Sequence, residues 1–388
     1  MINILKILFF LSAFIIIWGM IGYPISIRFI GKLYKNQTLN KDYDHQPTVT
    51  VMVVAHNEEK VIANKLNNIL AIDYPQEKIE ILIASDNSTD RTNSIVREFK
   101  EKYPDRHIRL FEAKERQGKT NAQNEAQKTV TTEYLVMTDA NSMFEKNAVK
   151  ELMAAFSSNN IIYVCGKLSF INETANSITS SEANYWDSDL ATREIEGRIQ
   201  SVTAGNGAIY ACRTKDYYDF DPIQCHDSAM PPFYALQGKR AICNHDAVAY
   251  EKISEDIADE FGRKVRMNRL IIKHILPDIR ILNIFKYKWF AYFYFGHRTC
   301  RYLLWISHLI LFVSNGLLIT QSRFYLVTFA CQVLFYFLAL LKMVTKIDNG
   351  SLNMIYYYCV TIVAQWFGVY NILTGKARPF WEKAESTR

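Results

Sequence analysis

Glycine and proline are scarce in this chain, 15 and 9 of 388 residues, which excludes collagen-like and low-complexity architectures. Neither sign of charge dominates. The 45 Lys and Arg stand against 39 Asp and Glu, a formal net charge of +6, and this excludes a polyanion-coating protein or an acidic disordered tail. Cysteine is present but never paired in sequence. Cys165, Cys212, Cys225, Cys243, Cys300, Cys331 and Cys359 form no CxxC, so neither a zinc site nor a disulfide framework is expected, and the odd count suits a reducing compartment. No internal repeat is evident. Aromatic residues, by contrast, are plentiful: 23 Tyr, 23 Phe and 6 Trp crowd toward the last quarter of the chain. The mean hydropathy of −0.07 is therefore an average over unlike parts.

One of those parts is apolar. The stretch from Ile4 to Gly22 is interrupted only by Lys6, Ser12 and glycines, and as a helix it nearly spans a hydrocarbon core of about 30 Å. No small-x-small cleavage site follows it, so a membrane helix is expected rather than a cleaved leader. Arg28, Lys32 and Lys35 come next and place its C-terminal end in the cytoplasm by the positive-inside rule. Three later runs, Tyr302–Thr320, Phe324–Leu341 and Leu352–Leu373, are expected to cross as well. Phe285–Arg301 mixes Lys and Arg with Trp289, Phe290, Tyr292, Phe293, Tyr294 and Phe295 around a short apolar core, the pattern of a helix lying in the interface. The expected division is a transmembrane helix in 1–30, a cytosolic domain in 47–280, an interfacial amphipathic helix in 281–301, transmembrane helices in 302–375 and a basic tail in 376–388. That makes a multi-pass protein of the plasma or inner membrane. It also creates a conflict, because three late crossings send Lys376, Arg378, Lys383 and Arg388 outside. Either the interfacial segment inserts more deeply or one late run is re-entrant.

Between Pro47 and Arg280 the texture is that of a soluble α/β domain. Strands are predicted at Thr48–Ala55, Lys78–Ala84, His107–Glu112 and Tyr134–Thr138, alternating with helices at Glu58–Leu70, Ser88–Lys102 and Thr120–Thr129. Such alternation implies a mostly parallel sheet with helices on both faces, and ligands bind such sheets outside the carboxyl ends of the strands. His56-Asn57-Glu58, Asp86 and Asp139 stand at those ends. Acidic residues there often cap only the next helix, as Asp90 is placed to do. Asp86 and Asp139 close strongly apolar strands, however, and are read as ligand-facing. Thr138-Asp139-Ala140-Asn141 suits a hard divalent ion, Mg²⁺ or Mn²⁺, held with phosphates and water, where it would neutralise a pyrophosphate leaving group. Arg116-Gln117-Gly118-Lys119-Thr120 is no phosphate loop, having one glycine and no GxxxxGK spacing, but it sets two cations at a helix start that favours anions.

Taken in order, Val54-Ala55-His56-Asn57-Glu58-Glu59, Ser85-Asp86-Asn87-Ser88-Thr89-Asp90, Arg116 to Ala122 and Thr138 to Asn141 resemble the family 2 glycosyltransferases. These are inverting enzymes of GT-A fold that use nucleotide-diphospho-sugars. Among them the chain is most similar to the membrane-integrated synthases of the cellulose, hyaluronan and poly-N-acetylglucosamine type. The fold implied is a Rossmann-like mixed sheet with helices on both faces, flanked by transmembrane helices. The resemblance implies that Ala55, Asn57 and Glu58 line the nucleoside pocket, that Asp86 meets the uracil, that Lys119 faces the diphosphate or sugar and that Asp139 holds the metal. Asn141 stands where the family has a second acid.

Further motifs extend the resemblance. Gly205-Asn206-Gly207-Ala208 matches the segment beside the acceptor, so Asn206 and Gly207 are acceptor candidates. Tyr185-Trp186, with Asp189, Arg193 and Glu194 at helical spacing, resembles the helix near the acceptor tunnel, although a surface helix reads the same way. His226-Asp227 matches an acidic pair whose second member is the general base, a role that falls to Asp227. His226 replaces an acid; it is placed to orient Asp227 or to titrate near neutrality. Arg263 and Arg266 share a helix face in the place of a Gln-x-x-Arg-Trp segment and are candidates to clamp the diphosphate. Met267 replaces the tryptophan that would support an acceptor sugar. Arg378-Pro379-Phe380-Trp381 resembles a tail that ends beside the catalytic domain. The expected function is sugar transfer from a UDP-sugar to a growing polysaccharide or a lipid-linked glycan, at the membrane and without nucleic acid, with export partners conceivable. Single-sugar transfer to polyprenyl phosphate or diacylglycerol is the alternative within enzymes. A catalytically silent scaffold of an export complex is the alternative outside them.

Overall fold

The computed structural model describes the chain except residues 172–176, 253–256, 346, 348 and 381–388, and for 177–187, 257 and 258 it describes the backbone only. Eight strands form one sheet: β1 (Val49–Ala55), β2 (Ile79–Ser85), β3 (Ile108–Glu112), β4 (Tyr134–Asp139), β5 (Met143–Phe144), β6 (Ile161–Phe170), β7 (Tyr210–Arg213) and β8 (Arg240–Glu251). Their order is β3-β2-β1-β4-β7-β6-β8-β5. The first four are parallel, as the alternation with helices requires. β7 runs antiparallel to both β4 and β6, so the sheet is mixed, and β8 is parallel to β6.

β1 is buried at every position, and its pleat divides it between two cores. Val49, Val51 and Val53 meet Ile62, Leu66 and Ile69 on one face; Met52 and Val54 join Ala122, Ala126, Met230 and Tyr234 on the other. The helices begin later than their apolar periodicity suggests, at Ile62 and Thr92. The intervening residues turn instead: Asn57 and Asn87 hold left-handed φ of 55° and 53° at the ends of β1 and β2, a region asparagine tolerates.

Among the described residues, two helices are long and apolar enough to cross a membrane, Ile2–Leu33 and Arg323–Val344, or three if Trp289–Tyr302 and Leu304–Leu318, bent by 63° at their junction, count as one span. Phe9, Leu318 and Tyr325 pack these helices together, while Ile4, Ile7, Leu11 and Phe14 point outward. The segment expected to lie in the interface is partly internal. Phe290, Phe293 and Tyr294 are buried, whereas Ile284 and Phe285 are exposed.

The run expected as the last crossing packs on two sides: against the apolar helices, His308 Nε2 lies 2.8 Å from the Tyr358 hydroxyl and Trp305 and Trp366 meet edge to face at 4.7 Å. Helix Gly350–Leu373 carries buried Asn353 and Gln365 and lies along helix Ile257–Met267 of the α/β domain. The Lys264 ammonium donates to the Tyr357 hydroxyl at 2.8 Å, Phe261 and Phe367 meet edge to face at 5.6 Å, and Gly368 abuts Asn268. The chain then returns to the α/β domain, where the Pro379 carbonyl lies against Gly118 and the Arg116 guanidinium covers the Phe380 ring at 5.0 Å.

Candidate active site

The carboxyl ends of β1 and β2 form the first wall. The Ala55 carbonyl accepts the Asp86 N–H at 2.8 Å, joining the two strand ends. Asn57 is occupied by its neighbours: its Oδ1 accepts the N–H groups of Thr89 (2.7 Å) and Asp90 (3.3 Å), and its own N–H donates to Ser88 Oγ at 3.1 Å. Glu58 is buried, and its N–H donates to Thr92 Oγ1 at 2.7 Å. The buried Asp86 carboxylate accepts the N–H groups of Gln117 (3.0 Å) and Gly118 (2.9 Å). Asp86 therefore holds the Arg116–Gly118 turn against β2. Gly118 completes that turn at φ +96°, where a side chain would be strained and its Cβ would strike Pro379.

Lys119 follows and opens helix Lys119–Gln127, with its ammonium paired to Asp139 at the end of β4. Asp227 approaches from the first turn of helix His226–Leu236, where the helix dipole favours an anion. Gly207 sits between all three: a Cβ there would lie 3.1 Å from Lys119 Nζ, 3.5 Å from Asp139 Oδ2 and 4.0 Å from Asp227 Cγ. Burial opposes the charge of Lys119, but Asp139 and Asp227 outweigh it and raise its pKa. Burial lifts the Asp227 pKa above the ordinary carboxylate value; Lys119 pulls it down and Asp139 pushes it further up. Three segments far apart in sequence thus bring one cation and two carboxylates to a glycine.

Residues 50–219 match the family described as glycosyl transferase family 2. The domain is 34% identical over 137 residues to "Probable glycosyltransferase YdaM" of Bacillus subtilis, a match over 34% of this chain and 32% of that protein. It is 28% identical over 159 residues to "Poly-beta-1,6-N-acetyl-D-glucosamine synthase" of Staphylococcus epidermidis, covering 40% and 37% of the two chains. It is 29% identical over 173 residues to "Beta-monoglucosyldiacylglycerol synthase" of Synechocystis, covering 44% and 36%. Each match spans about a third of the relative's own length. The fold is that of a mannosyltransferase from Pyrobaculum calidifontis solved with GDP-Man and Mn²⁺, with a TM-score of 0.70 at 21% identity over 94% of this chain and 99% of that one.

Around this cluster lie residues that no motif marks. Glu251, at the end of β8, accepts the Ser142 hydroxyl; burial and Asp139 raise its pKa, which puts a further carboxylate close to Asp139. Lys65 is buried behind the β4 end, where it donates to Thr138 Oγ1 at 2.9 Å and to the Ser142 carbonyl. Burial lowers its pKa to about 7. Neither residue is legible in sequence, since Lys65 reads as the polar face of an amphipathic helix and Glu251 as a strand terminus.

Other expected residues take different places. Asn206 is buried, donating to the Gly166 carbonyl (2.7 Å) and accepting the Ile209 N–H (3.1 Å), so its amide shapes the loop that presents Gly207. His226 points away from solvent, between Gln123 Oε1 and the Tyr217 hydroxyl, both at 2.9 Å. Burial and the Lys119 charge push its pKa to about 3, so the expectation that it titrates near neutrality is corrected. Arg263 is bidentate on Glu260, at 2.7 and 2.9 Å, rather than held ready as half of a clamp. Arg266 lies one turn further along the same helix. Burial, with Arg263 and Arg269 nearby, lowers its pKa to about 10, and Asp139 is close enough to oppose that shift. Tyr185 and Trp186 lie on helix Ser177–Ile199, but their side chains fall outside the described residues.

The same helix carries a buried ionic network. Asp189 pairs with Arg193 (2.6 Å), His297 (2.7 Å) and Arg301 (2.8 Å), and against the cost of burial these cations hold it well below the usual carboxylate range. Glu196 accepts from the Tyr23 hydroxyl at 2.6 Å and lies 2.7 Å from His297 Nδ1, which ties the first apolar helix to the domain. Arg193 donates to the Gly205 carbonyl. The loop presenting Gly207 is thus fixed from the side of the first apolar helix.

Among the described residues, no group of three His, Cys, Asp or Glu side chains is gathered to hold a metal. The donor set nevertheless fits a hard cation held mainly by substrate. Asp139 is a partly exposed carboxylate with Oδ2 facing Gly207, and Mg²⁺ or Mn²⁺ commonly takes one or two protein carboxylates plus phosphate oxygens and water. Asn141, two residues on, is only half-buried, as a neutral oxygen ligand there requires.

Proposed function

We propose that the protein transfers a sugar, with inversion, from a UDP-sugar to an acceptor held at the membrane, a growing polysaccharide or a lipid-linked glycan. The observation that carries this reading is the convergence of Lys119, Asp139 and Asp227 on Gly207. In-line displacement needs a base on one side of the sugar and charge neutralisation on the other. Asp227 takes the proton of the attacking hydroxyl; its raised pKa makes it a stronger base than an exposed aspartate. Lys119 and Arg266 counter the charge developing on the departing diphosphate, and Arg263 lends field rather than contact. A Mg²⁺ or Mn²⁺ ion on Asp139, with Asn141 as a neutral ligand, would neutralise the same leaving group. Ala55, Asn57, Glu58 and Asp86 form the nucleoside end, and Asp86 acts through the turn it holds. Gly207, the loop built by Asn206, and Tyr185-Trp186 are assigned to the acceptor side.

The packing supports one membrane arrangement. Ile2–Leu33, the bent pair and Arg323–Val344 make three crossings, and Gly350–Leu373 stays on the side of the catalytic domain. The tail then ends on the cytoplasmic side with its lysine and arginine, which satisfies the positive-inside rule. Met267, 51% exposed where an aromatic platform would support a sugar chain, favours addition of a single sugar over polymerisation.

The decisive experiment is Asp227→Asn in the full-length protein. Transfer is expected to fall by about 10²–10⁴-fold while UDP binding with Mn²⁺ persists. Wild-type turnover in that variant would overturn the assignment.

A further inference from the structure

We infer that Glu251 supplies the second protein carboxylate of the divalent-metal site at Asp139, in place of the acid that position 141 lacks. This rests on the transferase reading above and specifies how its metal is held.

The turn after β4 brings the two acids together. The Ser142 N–H donates to the Asp139 carbonyl at 3.3 Å, and the chain leaves the turn as β5. β5 pairs antiparallel with β8, Met143 opposite Tyr250 and Phe144 opposite Ala249, so one step further along Ser142 stands opposite Glu251. The Ser142 hydroxyl donates to Glu251 Oε1. On the other edge of β8 the Glu251 carbonyl accepts the Ile171 N–H at 2.9 Å, beside the pairing with β6, so its backbone belongs to the sheet rather than to a free loop. From behind, the buried Lys65 ammonium donates to Thr138 Oγ1 at 2.9 Å and to the Ser142 carbonyl, and so holds the turn at both ends. Helix, turn and strand, distant in sequence, thus fix Glu251 beside Asp139.

Both acids spend one oxygen and keep one. Asp139 gives Oδ1 to Lys119 and turns Oδ2 toward Gly207. Glu251 gives Oε1 to Ser142, and among the described residues no hydrogen bond or ion pair engages its Oε2. The charges of Lys119 and Arg263 act on Glu251, so it lies near groups that border the diphosphate. Burial and the Asp139 charge both oppose its ionised form. Two carboxylates brought together away from water repel each other unless a cation relieves them. A tether for Ser142 alone would be served by a neutral glutamine without that cost. Mg²⁺ or Mn²⁺ takes one or two protein carboxylates and leaves its other positions to phosphate oxygens and water. Asp139 and Glu251 make up such a pair, and Asn141, in the turn between them, is free to remain neutral.

The test is a titration of the full-length protein with Mn²⁺ at saturating UDP, following the free ion by electron paramagnetic resonance. Glu251→Gln keeps an oxygen for the Ser142 hydroxyl and removes the charge. The Kd for Mn²⁺ is expected to rise by about tenfold or more, while the Kd for UDP without metal stays within twofold. Glu251→Asp keeps the charge on a shorter arm; it should fall between, and it reports the same ratio if the glutamine variant does not fold. Adding Asn141→Asp to Glu251→Gln returns an acid to the turn and should recover most of the lost affinity, which a purely structural Glu251 would not allow. An unchanged Kd for Mn²⁺ in both single variants, a loss that Asn141→Asp does not recover, or full wild-type transfer in the presence of EDTA overturns the inference and leaves the transferase reading standing. A wild type that binds neither UDP nor Mn²⁺ and turns over no UDP-sugar overturns the transferase reading and this inference with it.

Discussion

The carbonyl of Asp227 accepts the N–H of Gly205 at 2.7 Å, a bond that a regular helix would not leave open. Four residues on stands Pro231, inside helix His226–Leu236, with no N–H to offer. The missing helical bond frees the Asp227 carbonyl to anchor the loop that presents Gly207. Arg193 holds the same glycine from its carbonyl, so Gly205 is tied to Asp227 on one side and to Arg193 on the other.

Pro231→Ala restores the competing N–H. The melting temperature is expected to stay level or rise, because an interior helical proline costs up to about 3 kcal/mol. The kcat is expected to fall about tenfold as the Gly205 loop loosens, following the steep dependence of rate on positioning. Thermal melts and kcat on one preparation read both, and an unchanged kcat would remove the link between this proline and catalysis.

Gly207→Ala places a methyl 3.1 Å from Lys119 Nζ and 3.5 Å from Asp139 Oδ2. Gly207 is not at positive φ, so the backbone bears the change and the side chains must yield. Activity is expected to drop by about tenfold or more, with the circular dichroism spectrum and melting temperature preserved. Full activity in a folded Gly207→Ala protein would mean that the site does not close on this glycine.

Asp86→Ala removes two charge-assisted bonds to Gln117 and Gly118. Bonds to charged groups are worth about 1.5–3 kcal/mol each, so stability is expected to fall and donor KM to rise about tenfold, with Asp86→Asn between. Isothermal titration with UDP, beside thermal melts, separates the two effects.

The pH profile should report Asp227. The base acts when ionised, so kcat/KM rises with pH through its pKa, and burial sets that limb above the value of about 3.9 for a free aspartate. His226, already neutral above about 3, contributes no limb near neutrality. A rate profile of His226→Gln should therefore keep the limb of the wild type.

The tail offers a topological test. With Pro379 against Gly118, a C-terminal epitope is expected to be protected from protease in spheroplasts and cut in inside-out vesicles. The reverse pattern would restore a fourth crossing by Gly350–Leu373.

The local pattern carried much of this protein. Apolar periodicity located β1 to β4 to within a residue or so, and the strand-end positions of Asp86 and Asp139 followed from it, because burial and pleat are short-range properties. Motif order pointed to Asp227 and Lys119. Sequence by itself could not tell that Asn206 and Arg263 are spent on neighbours, or that His226 is sealed away from water. Those outcomes depend on which partner arrives from another segment. Lys65 and Glu251 stayed hidden for the same reason. The sequence determined which stretches are apolar and which alternate strand with helix, since both patterns are written residue by residue. Only the tertiary structure decided that Gly350–Leu373 lies along the domain and that one proline frees the carbonyl of Asp227, because both are set by hydrogen bonds between residues distant or misaligned along the chain.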